Sequence, residues 1–446
     1  MLLLGYRRAN PDRRGAALLL AFLVLMVILM ITYQITRSTS TDQIETRRSL
    51  VFTGMDLAIE SAFLQIAEDL AADGDAGGAA EDSEDGPPLP PLGGEGEGEG
   101  GEPESTDSQM DEWATPSATT IGGLDLRILI EDENRKFNIL GMLAEDEEEA
   151  QTAFDIVVRI LDQAREGTLA DIASGEAEVM ARVMRDHMLS RDNTMLPSPL
   201  LLSAGPVEEQ EAGAPVLPMS LREFLVLEPF EPHHFRDLFD ENGDRVHSIG
   251  SFLTMYTSPT DGGGTPEGGW AVNVNTAPLA VLMSLFDTRV VDSRVWDEVL
   301  LYRNDEEELG PDDEEVEPTL DEFGNEVIVK RIFDDLEELD EVYDFEALEA
   351  EVKAEVLERL QVNSDVFSVT ITSRMATSNQ DQGSEGFNTR REREEYERDG
   401  THLVRTVRRI YWRVSSEEES SMVILVNWEV LDYSPLEVLD FPDADF

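Results

Sequence analysis

The chain has no cysteine among its 446 residues. Disulfides, thiolate metal sites and cysteine nucleophiles are thereby excluded. Basic residues are scarce: 34 Lys and Arg stand against 95 Asp and Glu, a formal charge of −61. Nucleic acid needs a basic footprint to neutralise its phosphates, so it is excluded as a partner for the bulk of the chain. The same deficit disfavours an anionic membrane surface. It fits a solvated protein outside the cytoplasm, whose acidic surface can draw calcium or basic partners. Proline is absent from Ala16 to Leu70, so nothing there forbids an unbroken helix. Charge is absent from Ala16 to Thr36.

Catalytic patterns are missing as well. The five histidines, His187, His233, His234, His247 and His402, stand in no HExxH or other metal-ligand spacing. His233 and His234 follow a proline and read as surface or a helix start. No GxSxG elbow, Walker loop or dinucleotide fingerprint occurs. "DGGGTPEGGW" has no Lys-Ser/Thr after it and reads as a loop. Acid pairs are so frequent that none marks a glycosidase. "DENGD", Asp240–Asp244, looks like half of a calcium loop. It lacks the glycine at position six and the closing Glu at position twelve. Asp240, Asn242 and Asp244 are therefore weak calcium candidates, set against a simple Asn-Gly turn. Nothing in the chain supports an enzyme.

The positive features begin at the N-terminus. Arg7, Arg8, Arg13 and Arg14 precede the uncharged run. Ala16 to Thr36 is 21 residues, close to the roughly 20 that cross a bilayer as a helix. The basic flank predicts a cytoplasmic N-terminus and an outside C-terminal part. Arg37, Arg47 and Arg48 weaken that asymmetry without reversing it. A secretory signal peptide is the alternative, but its apolar stretch is usually about 7–15 residues and ends at a small-x-small site that is missing here. Beyond the run, Val51, Met55, Ala58, Ile59, Ala62, Phe63, Ile66 and Leu70 recur at helical spacing. Ala16 to Leu70 as one helix would measure roughly 80 Å. The alternative is an anchor plus a separate short core helix, joined through "STSTDQ".

Between Ala71 and Glu112 stand fourteen acids and no Lys or Arg. "GGEGEGEGGEPE" is Gly/Glu low complexity that can bury no apolar surface. The expectation for 71–117 is a disordered, self-repelling linker, with calcium chelation as the less favoured functional reading. Four segments then alternate as strands: Leu124–Ile130, Val366–Met375, His402–Val414 and Met422–Leu431. The last two read as a hairpin across "SSEEESS". An antiparallel sheet covered on one face by the amphipathic helix would bury both apolar faces.

More than two hundred residues separate the first strand from the second. Apart from a small hairpin around "EFGNEV", they read as helical, which predicts an inserted domain. Two passages within it echo each other: "FNILGMLAEDEEEAQTAFDIVVRILDQAR" and "VNVNTAPLAVLMSLFDTRVVDSRVWDEVLLYR". Asn138, and Asn273 with Asn275, can cap the helices that follow, and Pro278 near a helix start needs no N–H partner. Each passage is followed by a short acidic-apolar segment, "SLREFLVLEPFEPHHFRDLF" and "DDLEELDEVYDFEALEAEVKAEVLERL". This is the rhythm of paired helix-hairpin-helix, or SAM-like, units. Their loops "EPFEPHHF" and "DEVYDFEA" are acidic, which suits protein contacts and not DNA.

The fold class is thus α+β: a pilin-like long N-terminal helix on an antiparallel sheet, with a large inserted all-helical domain of two SAM-like units. The boundaries are 1–15 leader, 16–36 transmembrane helix, 37–70 amphipathic continuation, 71–117 linker and 118–135 first part of the sheet domain. The inserted domain follows at 136–361, the remaining strands at 362–433 and an acidic tail at 434–446.

"RRGAALLLAFL", "EDENRKFNIL", "WAVNVNTAPLAVLMSLF" and "LQVNSDVFSVTITSRM" together resemble the minor pseudopilin K family of type II secretion systems (general secretion pathway protein K). "VNVNTAP" is the most specific of these. The likeness covers nearly the whole chain, leaving out the acidic linker, which departs from the family, and the end after about Ser434. It implies that prepilin peptidase cuts between Gly15 and Ala16 and methylates the new Ala16 amine. It also implies a mature helix in the inner membrane until an assembly ATPase and the inner-membrane platform extract it. The globular part would then cap a periplasmic pseudopilus of major pseudopilin, together with the I and J minor pseudopilins. Family members bind calcium in the globular part, with no ligand set that maps onto this sequence. The fifth mature position is Leu20, where most type IV-like pilins carry a glutamate that meets the N-terminal amine of the subunit in front. A tip subunit has none in front, and a lone carboxylate in the membrane is costly. Two other readings remain. One is a minor pilin of a type IV pilus or DNA-uptake system, which the inserted repeat disfavours. The other is a single-pass membrane-anchored enzyme, a hydrolase without a recognisable site.

Overall fold

The computed structural model of the chain describes residues 12–76, 106–190, 218–239, 245–256, 271–304, 331–375, 403–414 and 420–435, apart from 145, 169 and 219. A single helix, α1, runs from Asp12 to Ala76, 65 residues or about 100 Å. It passes unbroken through "STSTDQ", so the division into two separate helices does not hold. Three threonine hydroxyls on its path are absorbed locally. Thr32, Thr36 and Thr53 each donate to the carbonyl four residues earlier, at 2.9, 2.9 and 2.8 Å, which leaves the backbone helical.

The main sheet has five antiparallel strands in the order β1-β2-β9-β10-β11. They are β1 Ser117–Ile121, β2 Leu124–Asp132, β9 Val366–Met375, β10 Val404–Val414 and β11 Ser421–Leu431. Four of them match the expected alternation. The fifth, β1, joins β2 through Gly122 and Gly123, with φ of +62° and +79°. A two-residue hairpin of this kind requires positive φ at both central positions, which glycine supplies without a Cβ clash. The sheet therefore begins one strand earlier than expected.

Both faces of the sheet are covered. On one, Leu126, Ile128, Phe367, Val369, Ile371, Val407 and Tyr411 pack against Ala58, Ile59, Ala62, Phe63, Ile66 and Leu70 of α1. On the other, Val366, Ile410, Trp412, Leu425 and Val426 join the core of the inserted domain. Only the helix-covered face was expected; on the other, Ser368, Thr370 and Thr372 alternate with the apolar residues of β9 like a solvent face. All three are buried.

The inserted domain is not all-helical. Its first unit opens with β3 Phe137–Asn138 and closes with β6 Leu253–Thr254, which pair in parallel. Between them lie α2 Glu147–Gln163, α3 Ser174–Ser190 and a small hairpin of β4 Leu238–Phe239 and β5 Arg245–Val246. The second unit opens with β7 Val272–Asn273 and closes with β8 Leu360–Gln361, again parallel. It holds α4 Leu279–Ser284, α5 Ser293–Asn304, α6 Tyr343–Glu346 and α7 Ala350–Leu357. Two-residue strands carry no periodicity, so only their helices show in the sequence.

The repeat extends to single side chains. Asn138 accepts from Leu140 N and Asn273 from Asn275 N, both at 2.9 Å. Arg165 and Arg303, which end the two echoing passages, are buried and donate to backbone carbonyls. Arg165 reaches those of His247 at 3.0 Å and His233 at 3.1 Å, and Arg303 that of Val274 at 2.6 Å. Burial brings both guanidinium groups down to about 10.

Three boundaries move. The 71–117 linker is narrower at both ends: α1 continues to Ala76, and Asp107 and Ser108 are already buried. The tail expected from 434 starts later, because the Ser434 hydroxyl bonds those of Thr372 and Thr406 at 3.2 and 3.0 Å. His234, expected at the surface or a helix start, lies inside a 3-10 turn at Pro232–Phe235 and is buried. Burial, His233 and Arg165 press its imidazole down to about 4. The "EFGNEV" hairpin lies outside the described residues.

Candidate functional site

Among the described residues, the apolar first half of α1 is not covered by the rest of the chain. Leu18–Thr39, 22 residues, is long and apolar enough to cross a membrane, and none of it is buried. Gly15 and Ala16 lie in the first turns of α1, and Leu20 stands two-thirds exposed (66%).

The second half is pinned to the sheet by charge as well as by packing. Asp56 pairs with Arg405 at 3.0 Å and Glu60 with Arg409 at 2.7 Å. Arg409 is buried, donates to the Asn427 carbonyl at 2.8 Å and lies 4.3 Å over the Phe63 ring. Phe63 meets Tyr411 and Trp428 edge-on, and the Tyr411 hydroxyl donates to the Phe63 carbonyl at 2.9 Å. Further up, Asp73 lies 3.4 Å from Arg413. The three arginines sit at every fourth residue of β10, so an even strand spacing aims them at one face.

This pinning has a consequence for the outer face. Leu50, Leu57 and Leu64 are 68, 68 and 60% exposed. At a seven-residue interval they form one stripe along the helix. Asp56 and Glu60, the acids within this stretch, are drawn to the arginines beneath. The stripe is thus neutral and apolar in a chain of charge −61.

α1 also orients the molecule. Asp56, nearer the apolar half, meets Arg405 near the start of β10, and Asp73 meets Arg413 near its end. The sheet end bearing Leu124, Met375 and Val404 therefore faces the apolar half. The inserted domain leaves after Asp132 and returns before Val366, at the far end.

At that far end the polar motifs meet. Asn134 accepts from Asn273 N through its carbonyl at 2.9 Å, and from Val366 N through its side chain at 3.1 Å. Thr276 donates to Asp132, and Lys136 pairs with Glu133 at 2.8 Å. "EDENRK", "VNVNTAP" and "VNSDVF" are thus one fastening that roots the insert on the sheet. Asp132, fully enclosed, is pushed up to about 6 by burial. Burial acts the same way on Glu133, but Lys136 and Arg408 outweigh it and hold that carboxyl below its ordinary value.

Asp107 completes the fastening. It accepts from Ser364 N at 2.7 Å and from Arg413, while its carbonyl accepts from Asn273 at 3.0 Å. Burial pushes its carboxyl up to about 7, against the pull of Arg413. Asp73, Asp107 and Asp111 each bring an oxygen within 4.8 Å of the others. This is the one group among the described residues with the makings of a cation site. Its oxygens are already served: Arg413 bonds Asp73 and Asp107, and Ser108 donates to Asp111 through its N–H at 2.8 Å and its hydroxyl at 3.3 Å. A guanidinium bonded to two of the three carboxylates does not fit a resident divalent cation. Asp240, Asn242 and Asp244 lie outside the described residues.

Sequence reasoning did not single out Asp107, Arg405, Arg409 or Arg413. The every-fourth spacing of the arginines, opposite Asp56 and Glu60 one helical turn apart, was the signal available. For Asp107 there was none, because a buried aspartate in an acid-rich run looks like a solvated one.

No protein-family model matches the chain, and no curated protein matches its sequence. Among solved structures it is similar to a chain of the GspK-GspI-GspJ complex from the type 2 secretion system of enterotoxigenic Escherichia coli. The identity is 11% and the TM-score 0.44, over 85% of this chain and 99% of that one.

Proposed function

We propose that this chain is a minor pseudopilin of a type II secretion system. It is inserted through α1 in the inner membrane as a single pass, with residues 1–15 cytoplasmic and the globular part periplasmic. Prepilin peptidase removes the leader at Gly15–Ala16 and methylates Ala16. The subunit then stands at the tip of the pseudopilus with the I and J minor pseudopilins, on a shaft of major pseudopilin, and has no catalysis of its own.

One observation carries this reading: α1 is continuous from a fully exposed apolar span to a neutral leucine stripe, with the inserted domain at the opposite end of the sheet. A neighbour lying along Leu50, Leu57 and Leu64 also lies along Leu18–Thr39, because both belong to one continuous helix. An insert at the far end is out of the way of such neighbours below it and blocks growth above. Leu20, without a carboxylate, suits a subunit with no amine in front of it.

The test is co-expression with prepilin peptidase and the I and J partners. The expected product lacks fifteen residues by mass spectrometry and elutes as a ternary complex. An intact Met1 end, or three proteins that elute separately with and without calcium, would overturn the reading. Leu20→Glu should impair membrane insertion or secretion; full activity of that variant would make the missing charge incidental.

A further inference from the structure

We propose that Arg413 holds the place of a divalent cation among Asp73, Asp107 and Asp111, so that this chain closes the far end of its sheet with its own guanidinium. Three carboxylate oxygens within 4.8 Å of one another are an arrangement that hard cations such as calcium satisfy with oxygen ligands. Here the planar guanidinium fork bridges two of them, one through each terminal nitrogen: Nη1 to Asp73 and Nη2 to Asp107. The third, Asp111, is served by Ser108.

Arg413 is no swinging surface side chain. It is buried, its backbone N–H donates to the Asp365 carbonyl at 2.6 Å, and its guanidinium lies 5.0 Å over the Phe367 ring and donates to the Ser364 carbonyl. A cation entering the cluster would have to evict a guanidinium that then stays buried without its carboxylates, which is strongly unfavourable. The arginine therefore ties the end of α1, the returning segment at Asp107 and the root of the insert at Ser364 without calcium. Removing it should convert the same three acids into a cation site.

The probes are terbium and calcium, on the detergent-solubilised full chain. Trp113 is two residues from Asp111 and would sensitise terbium bound at the cluster. In the wild-type chain, terbium emission should be unchanged by Trp113→Phe. Arg413→Gln should gain Trp113-dependent emission and a calcium-dependent rise in Tm of about 3 °C, given calcium in excess of its Kd. Both gains should vanish on adding Asp107→Asn. Trp113-dependent emission in the wild type, or an Arg413→Gln chain indifferent to calcium, would overturn the proposal. If Arg413→Gln does not fold, Asp107→Asn alone decides: an equal calcium response in it and the wild type supports the proposal, and a wild-type response that it abolishes refutes it.

Discussion

Phe63 and Leu57 lie on opposite faces of α1, six residues apart, and replacing each by alanine should separate stability from assembly. Phe63 is fully enclosed between Arg409, Tyr411 and Trp428. Phe63→Ala leaves a cavity and removes two edge-on ring contacts, while the Tyr411 bond to the backbone carbonyl survives. The cost should be about 3–5 kcal/mol, or roughly 10 °C in Tm at about 2–4 °C per kcal/mol. Leu57 keeps 68% of its surface in solvent. With about 1.5–3 kcal/mol for a fully buried leucine, Leu57→Ala should cost less than about 1 kcal/mol, part of it returned by the helix preference of alanine. Assembly should respond the other way round. Covering the exposed two-thirds of Leu50, Leu57 and Leu64 is worth about 3–5 kcal/mol. The triple alanine variant should therefore bind its neighbours on the order of 100-fold more weakly while unfolding like the wild type. Urea unfolding and titration against the partner subunits read the two quantities. A Leu57→Ala chain as unstable as Phe63→Ala, or a folded triple variant that assembles normally, would refute the two-face account of the helix.

The enclosed acids make a pH prediction of unusual sign. Asp107 and Asp132 keep their protons to about pH 7 and about pH 6 in the folded chain, against an ordinary 3.8. The folded state binds these protons more tightly than the unfolded one. Their contribution is therefore full below about pH 4 and is lost as pH rises towards 7. Urea midpoints should decline over that window, and Asp107→Asn should flatten its upper part; an unchanged profile would rule out Asp107 as the source. Asp107→Ala should cost about 3–5 kcal/mol, since it leaves Arg413 buried with only the half-exposed Asp73. The two repeat asparagines should differ in cost despite their equivalent caps. Asn138→Ala loses one cap bond, about 1 kcal/mol. Asn273→Ala also orphans the Asp107 carbonyl and takes a donor from the Ser364 hydroxyl, and should cost about 3 kcal/mol. Equal losses by chemical unfolding would show that Asn273 fastens nothing.

Elements with a strong period were legible in the sequence. The stripe Met55 to Leu70 and the alternation of β2, β9, β10 and β11 fall where they were expected, within two residues at the ends. β1 was not legible: "SATTI" has no apolar alternation, and its place is set by the Gly122–Gly123 turn and by pairing with β2. The parallel pairs β3–β6 and β7–β8 were hidden for a different reason, since their partners lie about a hundred residues apart and each strand is two residues long. The polar fastening escaped because burial of a carboxylate depends on what closes over it. Asp107 looks no different in sequence from the acids before it, and only the arrival of Arg413 and Asn273 separates it from them. The repeat, by contrast, was visible through Asn138 and Asn273, whose capping role follows from residue type alone.

β2 and β9 are immediate neighbours in the sheet, with Asp132 opposite Phe367, and Glu133 N donates to the Val366 carbonyl at 2.8 Å just beyond. Topologically, residues 133–365 occupy the place of a hairpin turn. The sheet would be equally complete with a turn of a few residues there. More than half the chain is thus carried on a loop whose two stems are stapled together, so that its size can change without breaking a strand pairing of the sheet beneath it.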